Sequence, residues 1–525
     1  MIYWCSTSKK YLNWRMAFLF LIFFISPLLL KGCGVATQKR VLVPPEEAGS
    51  LDKSSPFLKA HMLNGQVYIF SEWSVDSVEK IVSGKGELLD VNREMLAEGD
   101  FSLPLDSVAI FETNIVKTSP SVIGMAIITS ASVALTVYCI TNPKACFGSC
   151  PTFYVEDEQK LILQAEGFSS SIAPSLEASD IDALYRAKPI DRKFQVIMKN
   201  EALETHVIRY VDLLAVRRPK EGRVFVTSDG VFWQTNQLIP PTDCQAPERS
   251  CLNELRAFDG LEHTSQTDST FLGTRETIDL EFDNLPNGNL GLVVASRQSL
   301  LSTYLFYQTV AYMGTKAGDW FASLERGDES LRKRISGVGQ VLGGIEVFVG
   351  NKSNDWIYAG ELRETGPLAT DTRILPLSGI SPGSHKIRLR LTKGHWRIDY
   401  VALAVLEKKV TSQRLQPMEV HHSKTIDSDA RKLLIDSSKV LITLPGDIYT
   451  LTYSLPEDFA EYELFLKTQG YYMEWIRDEW LSEENPTRAA MMFLNPERAL
   501  YELAPEFKKV EVEMEELFWR SRYAR

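Results

Sequence analysis

The sequence predicts a mainly β protein of several modules: a small antiparallel β domain, then β-sandwich or jelly-roll modules, with a few helices at about 122–141, 297–315 and 505–520. Three observations carry that class. Apolar and polar residues alternate with a period of two in runs such as 278–282, 345–349, 385–391 and 396–403, which is how a half-buried strand reads. The runs are separated by turn clusters, among them Gly366-Pro367 and Ser381-Pro382-Gly383, at the spacing typical of a β-sandwich. The third is bulk composition. A chain of 525 residues with 44% hydrophobic and 24% charged residues is ordinary globular protein, long enough for several cores.

The elements follow in order from the N-terminus. Lys9, Lys10 and Arg15 precede an uncharged run, 17–30 (AFLFLIFFISPLLL), which ends in Lys31-Gly32-Cys33. A positive flank, a short apolar core and a small residue before the break form a secretory signal, too short for a membrane span. Leu29-Leu30-Lys31-Gly32-Cys33 resembles the lipobox of bacterial lipoproteins, in which the cysteine carries a diacylglycerol and becomes the mature N-terminus; Lys31 departs from that pattern. The resemblance implies lipidation at Cys33 and anchoring in a membrane of the cell envelope. The leader holds four basic residues and no acid, so the chain beyond residue 33 is four charges more negative than the total of −11. An acidic body with no basic tract excludes nucleic acid as a partner, because phosphate binding needs clustered Lys and Arg.

Residues 34–55 lack apolar periodicity and contain Pro44-Pro45, so they read as a tether. Residues 56–117 show short alternating runs, opened by the hairpin signal Asn64-Gly65 and continued past Gly84 and Gly86, and read as the small antiparallel β domain. That span resembles small β modules of bacterial envelope proteins. Residues 118–143 carry no charge and are long enough to cross a bilayer. The frequent Ser and Thr favour a buried or membrane-resting helix over a lipid-facing one.

Beyond the leader the cysteines are Cys139, Cys146, Cys150, Cys244 and Cys251. Cys146 with Cys150, and Cys244 with Cys251, are two locally spaced pairs that could each close a small loop in an oxidising compartment. Cross-pairing stays open, and a four-thiolate metal site is disfavoured because the spacings are not zinc knuckles. Residues 146–155 (CFGSCPTFYV) resemble the opening of a domain of unknown function in bacterial lipoproteins, built around C-x-G-x-C-P, which implies a strand after a cysteine-bearing turn.

Residues 144–407 read as the β-sandwich region, with a helix inserted where Leu300, Leu301, Tyr304, Leu305, Val310 and Met313 form a stripe. The order Trp356, Gly360, Gly366-Pro367, a strand with alternating arginines, then Trp396-Arg397-Ile398-Asp399-Tyr400 resembles galactose-binding-like jelly rolls of secreted bacterial proteins. Such folds host lectins, adhesion modules and enzyme accessories alike. Residues 408–525 read as a C-terminal β segment followed by an acidic amphipathic helix.

Motifs for chemistry are sparse. There is no HExxH, no G-x-S-x-G elbow, no P-loop and no CxxC redox pair, so no cofactor is expected and no catalytic residue is named. The weak metal or acid/base alternatives are Glu204 with His206 (and Asp212 on the same face of a strand), and Asp259 with His263 in a polar loop; each reads more simply as solvated surface. Aromatic residues concentrate late in the chain. Tyr471, Tyr472, Trp475 and Trp480, with charged residues between them, are the candidate ligand-binding rings, because stacking and hydrogen bonding act together in sugar or protein recognition. The function expected is that of a membrane-anchored envelope lipoprotein with a binding or structural role toward an envelope protein or a glycan. The alternative is a secreted hydrolase or metal-dependent enzyme using a carboxylate/His cluster.

Overall fold

The computed structural model describes residues 36–118, 150–325, 337–474 and 483–522, apart from short breaks at 44, 52, 54, 56, 63–65, 77, 90–94, 158–159, 203, 351–354, 364–365 and 379–382. The fold is mainly β, in several antiparallel sheets with few helices. The leader with Cys33, and the apolar segment expected to be a helix at 122–141, lie outside the described residues. Among the described residues, no helix is long and apolar enough to cross a membrane.

The N-terminal module is a six-stranded sheet in the order Ala36–Val43, Val108–Thr118, Leu58–Met62, Val67–Asp76, Ile81–Leu89, Met95–Pro104. Its face is closed by Val43, Leu58, Ala60, Phe70, Val82, Leu103 and Phe111. Asn64-Gly65 lies outside the described residues, and the strands on either side of it pair antiparallel, with Leu58 opposite Phe70 and His61 opposite Val67. The tether expected over 34–55 is corrected: Ala36–Val43 pairs with the last strand, from Ala36 opposite Thr118 to Val43 opposite Phe111. Pro45–Ser50 then forms a 3-10 turn that buries Ala48. Ala36 to Arg40 carry no alternation and the partner strand lies far along the chain, so the strand leaves no local signal. Gly84 is required by packing, since a Cβ there would lie 2.0 Å from the Glu72 carbonyl oxygen, across a strand that bulges between Phe70 and Glu72.

The remaining strands form two sandwiches, one inserted in the other. The outer sandwich packs two sheets. One runs Thr425–Ile426, Glu419–His422, Ile448–Ser454, Lys193–Lys199, Thr152–Asp157, Lys160–Glu166; the other runs Gln413–Leu415, Glu204–Arg217, Tyr462–Glu474, Ala178–Ala183. Phe153, Val196, Met198 and Tyr453 of the first meet Ile208, Val211, Leu213 and Leu466 of the second in one core. The inserted sandwich sets a closed five-stranded barrel (Arg223–Val226, Phe232–Ile239, Trp396–Val410, Asn289–Gln298, Asp371–Leu377) against a sheet of Asp243–Gln245, Arg275–Leu285, Gly383–Thr392, Ile345–Gly350 and Trp356–Leu362. Its core joins Ile278, Leu280, Val347 and Leu389 to Leu292, Val294, Ile398 and Leu403.

This insertion corrects the boundary expected at 407/408. Residues 413–474 are not a separate segment; they complete the sheets begun by 152–217. The chain leaves and re-enters side by side, with Arg217 opposite Tyr462 and the Arg218 N–H donating to the Glu461 carbonyl at 2.9 Å. Pairing across such a sequence distance leaves no mark in local periodicity, because a strand's alternation records its buried face and not its neighbour.

Two helix boundaries also move. The expected helix at 297–315 is Leu301–Met313, because Arg297 and Gln298 end the strand Asn289–Gln298; it stops at Gly314, whose φ is +54°. The expected helix at 505–520 is a longer one, Pro496–Arg522, with Pro505 inside it. Proline removes one interior hydrogen bond from a helix, but tertiary packing overrides that local preference: Leu500, Leu503 and Phe507, on both sides of Pro505, are buried in the main core. Val510, on the same helix, is exposed.

Of the cysteine pairs, Cys244–Cys251 is a disulfide with both residues fully buried. Cys150 is a free, buried thiol, and Cys146 lies outside the described residues, so a Cys146–Cys150 bridge is not what the structure has. Burial, with the Glu166 and Glu204 carboxylates close by, pushes the Cys150 thiol well above its usual pKa, which leaves it unreactive. Converting Cys244 and Cys251 together to alanine is expected to cost about 2–3 kcal/mol, as for closure of a short loop. Urea unfolding measures it, and an unchanged midpoint would contradict a structural role.

Candidate ligand-binding cleft

Arg297 and Arg397 stand directly opposite each other on the antiparallel strands Asn289–Gln298 and Trp396–Val410. Two like charges in that position repel unless each finds an anion. Glu262, on the loop before residue 263, takes the Arg297 guanidinium with both carboxylate oxygens, one from Nε at 2.6 Å and one from Nη2, while Arg297 Nη1 donates to the Pro367 carbonyl at 3.3 Å. Arg297 is only 2% exposed. Arg397 Nη2 donates to Glu515 on the Pro496–Arg522 helix at 2.9 Å, with its Nη1 3.8 Å from Glu262. The other Glu515 oxygen accepts the Leu300 N–H at 2.6 Å, which holds the start of the Leu301–Met313 helix.

These side chains line a cleft of about 560 Å³ between the inserted sandwich and the C-terminal helix. Its walls bring together parts of the sequence that are far apart. The loop with Thr264, Ser265 and Gln266 is held by His263, whose backbone N–H and carbonyl both pair with Ile398 at 2.8 and 3.0 Å. Ser265 Oγ donates to Glu276, and the Thr267 N–H donates to Glu511 at 2.6 Å. At the far rim Arg186 lies 3.8 Å from the buried Asp399 carboxylate and stacks over the Phe258 ring at 5.1 Å. Asp399 also accepts the Gly260 N–H at 2.8 Å. Burial raises the Asp399 pKa and lowers that of His263. Two arginines of the lining are paired with lining carboxylates, Arg297 with Glu262 and Arg397 with Glu515, while Arg186 faces Asp399, which is not part of the lining, and Glu511 takes the Thr267 N–H and Lys508 Nζ. Such a surface offers planar, oriented donors and acceptors with little net field.

The residues singled out in the sequence lie elsewhere. Glu204 and His206 are not solvated; both are fully buried, with His206 Nε2 3.3 Å from Glu204, which also accepts the Cys150 N–H at 3.1 Å. Asp212 does not share their face. A bulge between Ile208 and Tyr210 inserts one residue, so beyond it the alternation is inverted; Asp212 is instead paired with Arg414 at 2.6 Å. Asp259 accepts the Leu261 N–H of its own loop, while the His263 ring is buried. Among the described residues, no group of three or more His, Cys, Asp and Glu is placed to hold a metal.

The aromatic expectation is corrected in part. Tyr471 and Tyr472 are 0% and 3% exposed, so neither can stack on a ligand. Their strand, Tyr462–Glu474, is central and covered on both faces: Tyr471 packs with Val207, Val440 and Met473, and the Tyr472 hydroxyl donates to the Ser169 carbonyl at 3.0 Å. Trp475 and Trp480 lie outside the described residues. The cleft itself was missed, although two signals pointed to it. Arg297 follows the apolar run 290–295 of its strand, and Arg397 sits between Trp396 and Ile398; a charge in a core strand requires a partner.

No family model matches the chain, and no curated protein matches it. Among solved structures, the crystal structure of the GH31 alpha-xylosidase from Xanthomonas citri aligns with 79% of this chain and 36% of its own, at 8% identity and a TM-score of 0.13. This chain thus spans about a third of that protein's length, and a likeness so low carries no argument.

Proposed function

We propose that the chain is a membrane-anchored lipoprotein of a bacterial cell envelope with a non-catalytic binding role, and that the cleft between the inserted sandwich and the C-terminal helix is its ligand site, suited to a glycan. The observation that carries this is the pairing of charges in the cleft. Guanidinium and carboxylate groups held against each other present fixed donors and acceptors for hydroxyl groups, and Thr264, Ser265, Gln266 and Ser299 extend that lining. Glu262, held by Arg297 through both oxygens, and Glu515, held by Arg397 and the Leu300 N–H, are poor proton carriers, which favours recognition over acid/base catalysis. The leader ending in Cys33 supports export and anchoring, and the Cys244–Cys251 disulfide is in keeping with an oxidising compartment.

Two arms test it. A palmitate analogue is expected to label the protein in its own cell and not the Cys33→Ala variant; labelling that persists in the variant overturns the anchor. On a glycan array, Cys33→Ala protein is expected to bind, and Arg186→Ala, at the rim, to weaken that binding at least tenfold while the protein stays folded at the assay temperature by circular dichroism. An inert array overturns the glycan assignment and leaves an envelope protein as the partner of the cleft.

A further inference from the structure

The Leu301–Met313 helix is apolar on more than one side. Leu301, Leu305 and Tyr312 enter the main core, while Ser302, Thr303, Phe306 and Tyr307 are only half-buried. On that second side the helix meets the Ala317–Glu325 helix, the Pro486–Leu494 helix and the turn around Ser169, and a pocket of about 310 Å³ remains between them. None of its lining is shared with the cleft. The volume is at the small end of the range for small-molecule sites, about 300–1,000 Å³.

Its body is hydrocarbon: Leu305, Phe306, Trp320, Leu342, Met492 and Phe493. Among the hydrogen-bonding side chains of the described wall residues, two are buried without a partner: Ser169 Oγ, on a residue 7% exposed, and Trp320 Nε1. A buried donor left unpaired costs about 1–3 kcal/mol, and an indole N–H can only donate. The complement is an apolar chain bearing an oxygen that accepts. The polar groups at the margin add a second constraint. The Tyr307 hydroxyl at the margin is already committed to Glu474 at 3.0 Å, and no Lys or Arg is among the described residues that line the pocket, so a carboxylate head would be buried without a counter-charge.

We propose that this pocket binds one medium-length acyl chain carrying a neutral ester carbonyl, which accepts from Trp320 Nε1 and Ser169 Oγ while the chain lies among Leu305, Phe306, Met492 and Phe493. The assignment stands apart from the reading of the cleft.

The probe is glycerol 1-monodecanoate, titrated into full-length Cys33→Ala protein by calorimetry, with decanoate as the charged comparison. One molecule is expected to bind, at least tenfold tighter than decanoate. Trp320→Phe keeps the ring and removes the donor, and is expected to weaken binding at least fivefold. Ser302→Phe is expected to fill the pocket and abolish binding; should that variant fail to fold, Trp320→Phe carries the test. No binding, or binding indifferent to Trp320→Phe, overturns the proposal, and decanoate bound as tightly as the ester overturns the neutral head. Wild-type protein that refuses the probe while Cys33→Ala accepts it identifies the chain's own lipid as the occupant; equal uptake identifies a separate lipid ester. Glycan binding by the cleft is read separately and is unaffected by either result.

Discussion

Arg297→Ala is expected to destabilise the protein by about 3–5 kcal/mol, the cost of leaving a buried charge without its partner. Arg297 is the largest fully buried side chain. Its guanidinium is divided between both oxygens of Glu262 and the Pro367 carbonyl, so truncation strands a carboxylate and a carbonyl at once. Arg397 Nη1, 3.8 Å from Glu262, can close part of the gap, which places the expected loss toward the lower end. The double variant Arg297→Met with Glu262→Gln removes both charges and is expected to recover most of the stability, because a buried ion pair is worth little more than a well-packed neutral replacement. Urea unfolding of the two variants measures this. A single variant within about 0.5 kcal/mol of wild type, the scatter of ordinary surface substitutions, would show that the pair does not hold the cleft.

Acidification from pH 6.5 to 5 is expected to remove about 3 kcal/mol of stability through His206 and His395. Burial lowers the pKa of both His206 and His395 to about 3, against 6.5 for an unperturbed ring. The folded state therefore stays neutral while the unfolded state takes up a proton below pH 6.5. The unfolded state binds more protons, so stability falls as the pH falls, from 6.5 down to about 3, and is constant below that. Each histidine contributes about 1.4 kcal/mol per pH unit in that window. His395 is the cleaner of the two, since His206 Nε2 lies 3.3 Å from Glu204, which can compensate a charge there. Asp212, Glu276 and Asp399 act with opposite sign: burial raises their pKa, so protonating them at lower pH restores stability. Unfolding midpoints between pH 6.5 and 5 isolate the histidines. His263, whose pKa burial also lowers, adds to the slope with the same sign, so His395→Asn is expected to reduce the slope by no more than half, and an unchanged slope would refute this account.

How much of this was legible in the sequence depends on the range of the interaction concerned. The strands 278–282, 345–349 and 385–391 were readable because each carries its own alternation, and all three sit within the strands observed. The pairing of the strands on either side of Asn64-Gly65 was readable for the same reason, since turn chemistry is local. The Cys244–Cys251 bridge was readable from spacing, as one of two local pairs. Ala36–Val43 was not, because Ala36 to Arg40 carry no alternation and the partner strand, Val108–Thr118, lies far along the chain. Glu204 and His206 looked like solvated residues because their chemistry is polar; only the bulge beyond Ile208 and the cover of both sheets decide that they are interior and that Asp212 faces the other way. Tyr471 and Tyr472 misled in the opposite direction, since aromatic residues among charges look the same whether they close a core or cap a surface.

The sequence by itself determined the β class and the alternating faces, and offered Cys244–Cys251 as one of two local cysteine pairs, because each is a relation between residues a few positions apart. Which strands are neighbours, that one sandwich is inserted in the other, and that Arg186, Glu262, Arg297, Arg397 and Glu515 meet around one cleft were decided only by the tertiary structure. The reason is physical. A period-2 pattern states that a face must be buried, and a buried arginine states that it must be paired, but neither names the partner; that choice is made by packing, when segments as distant as Glu262 and Glu515 are brought within reach of the same two guanidinium groups.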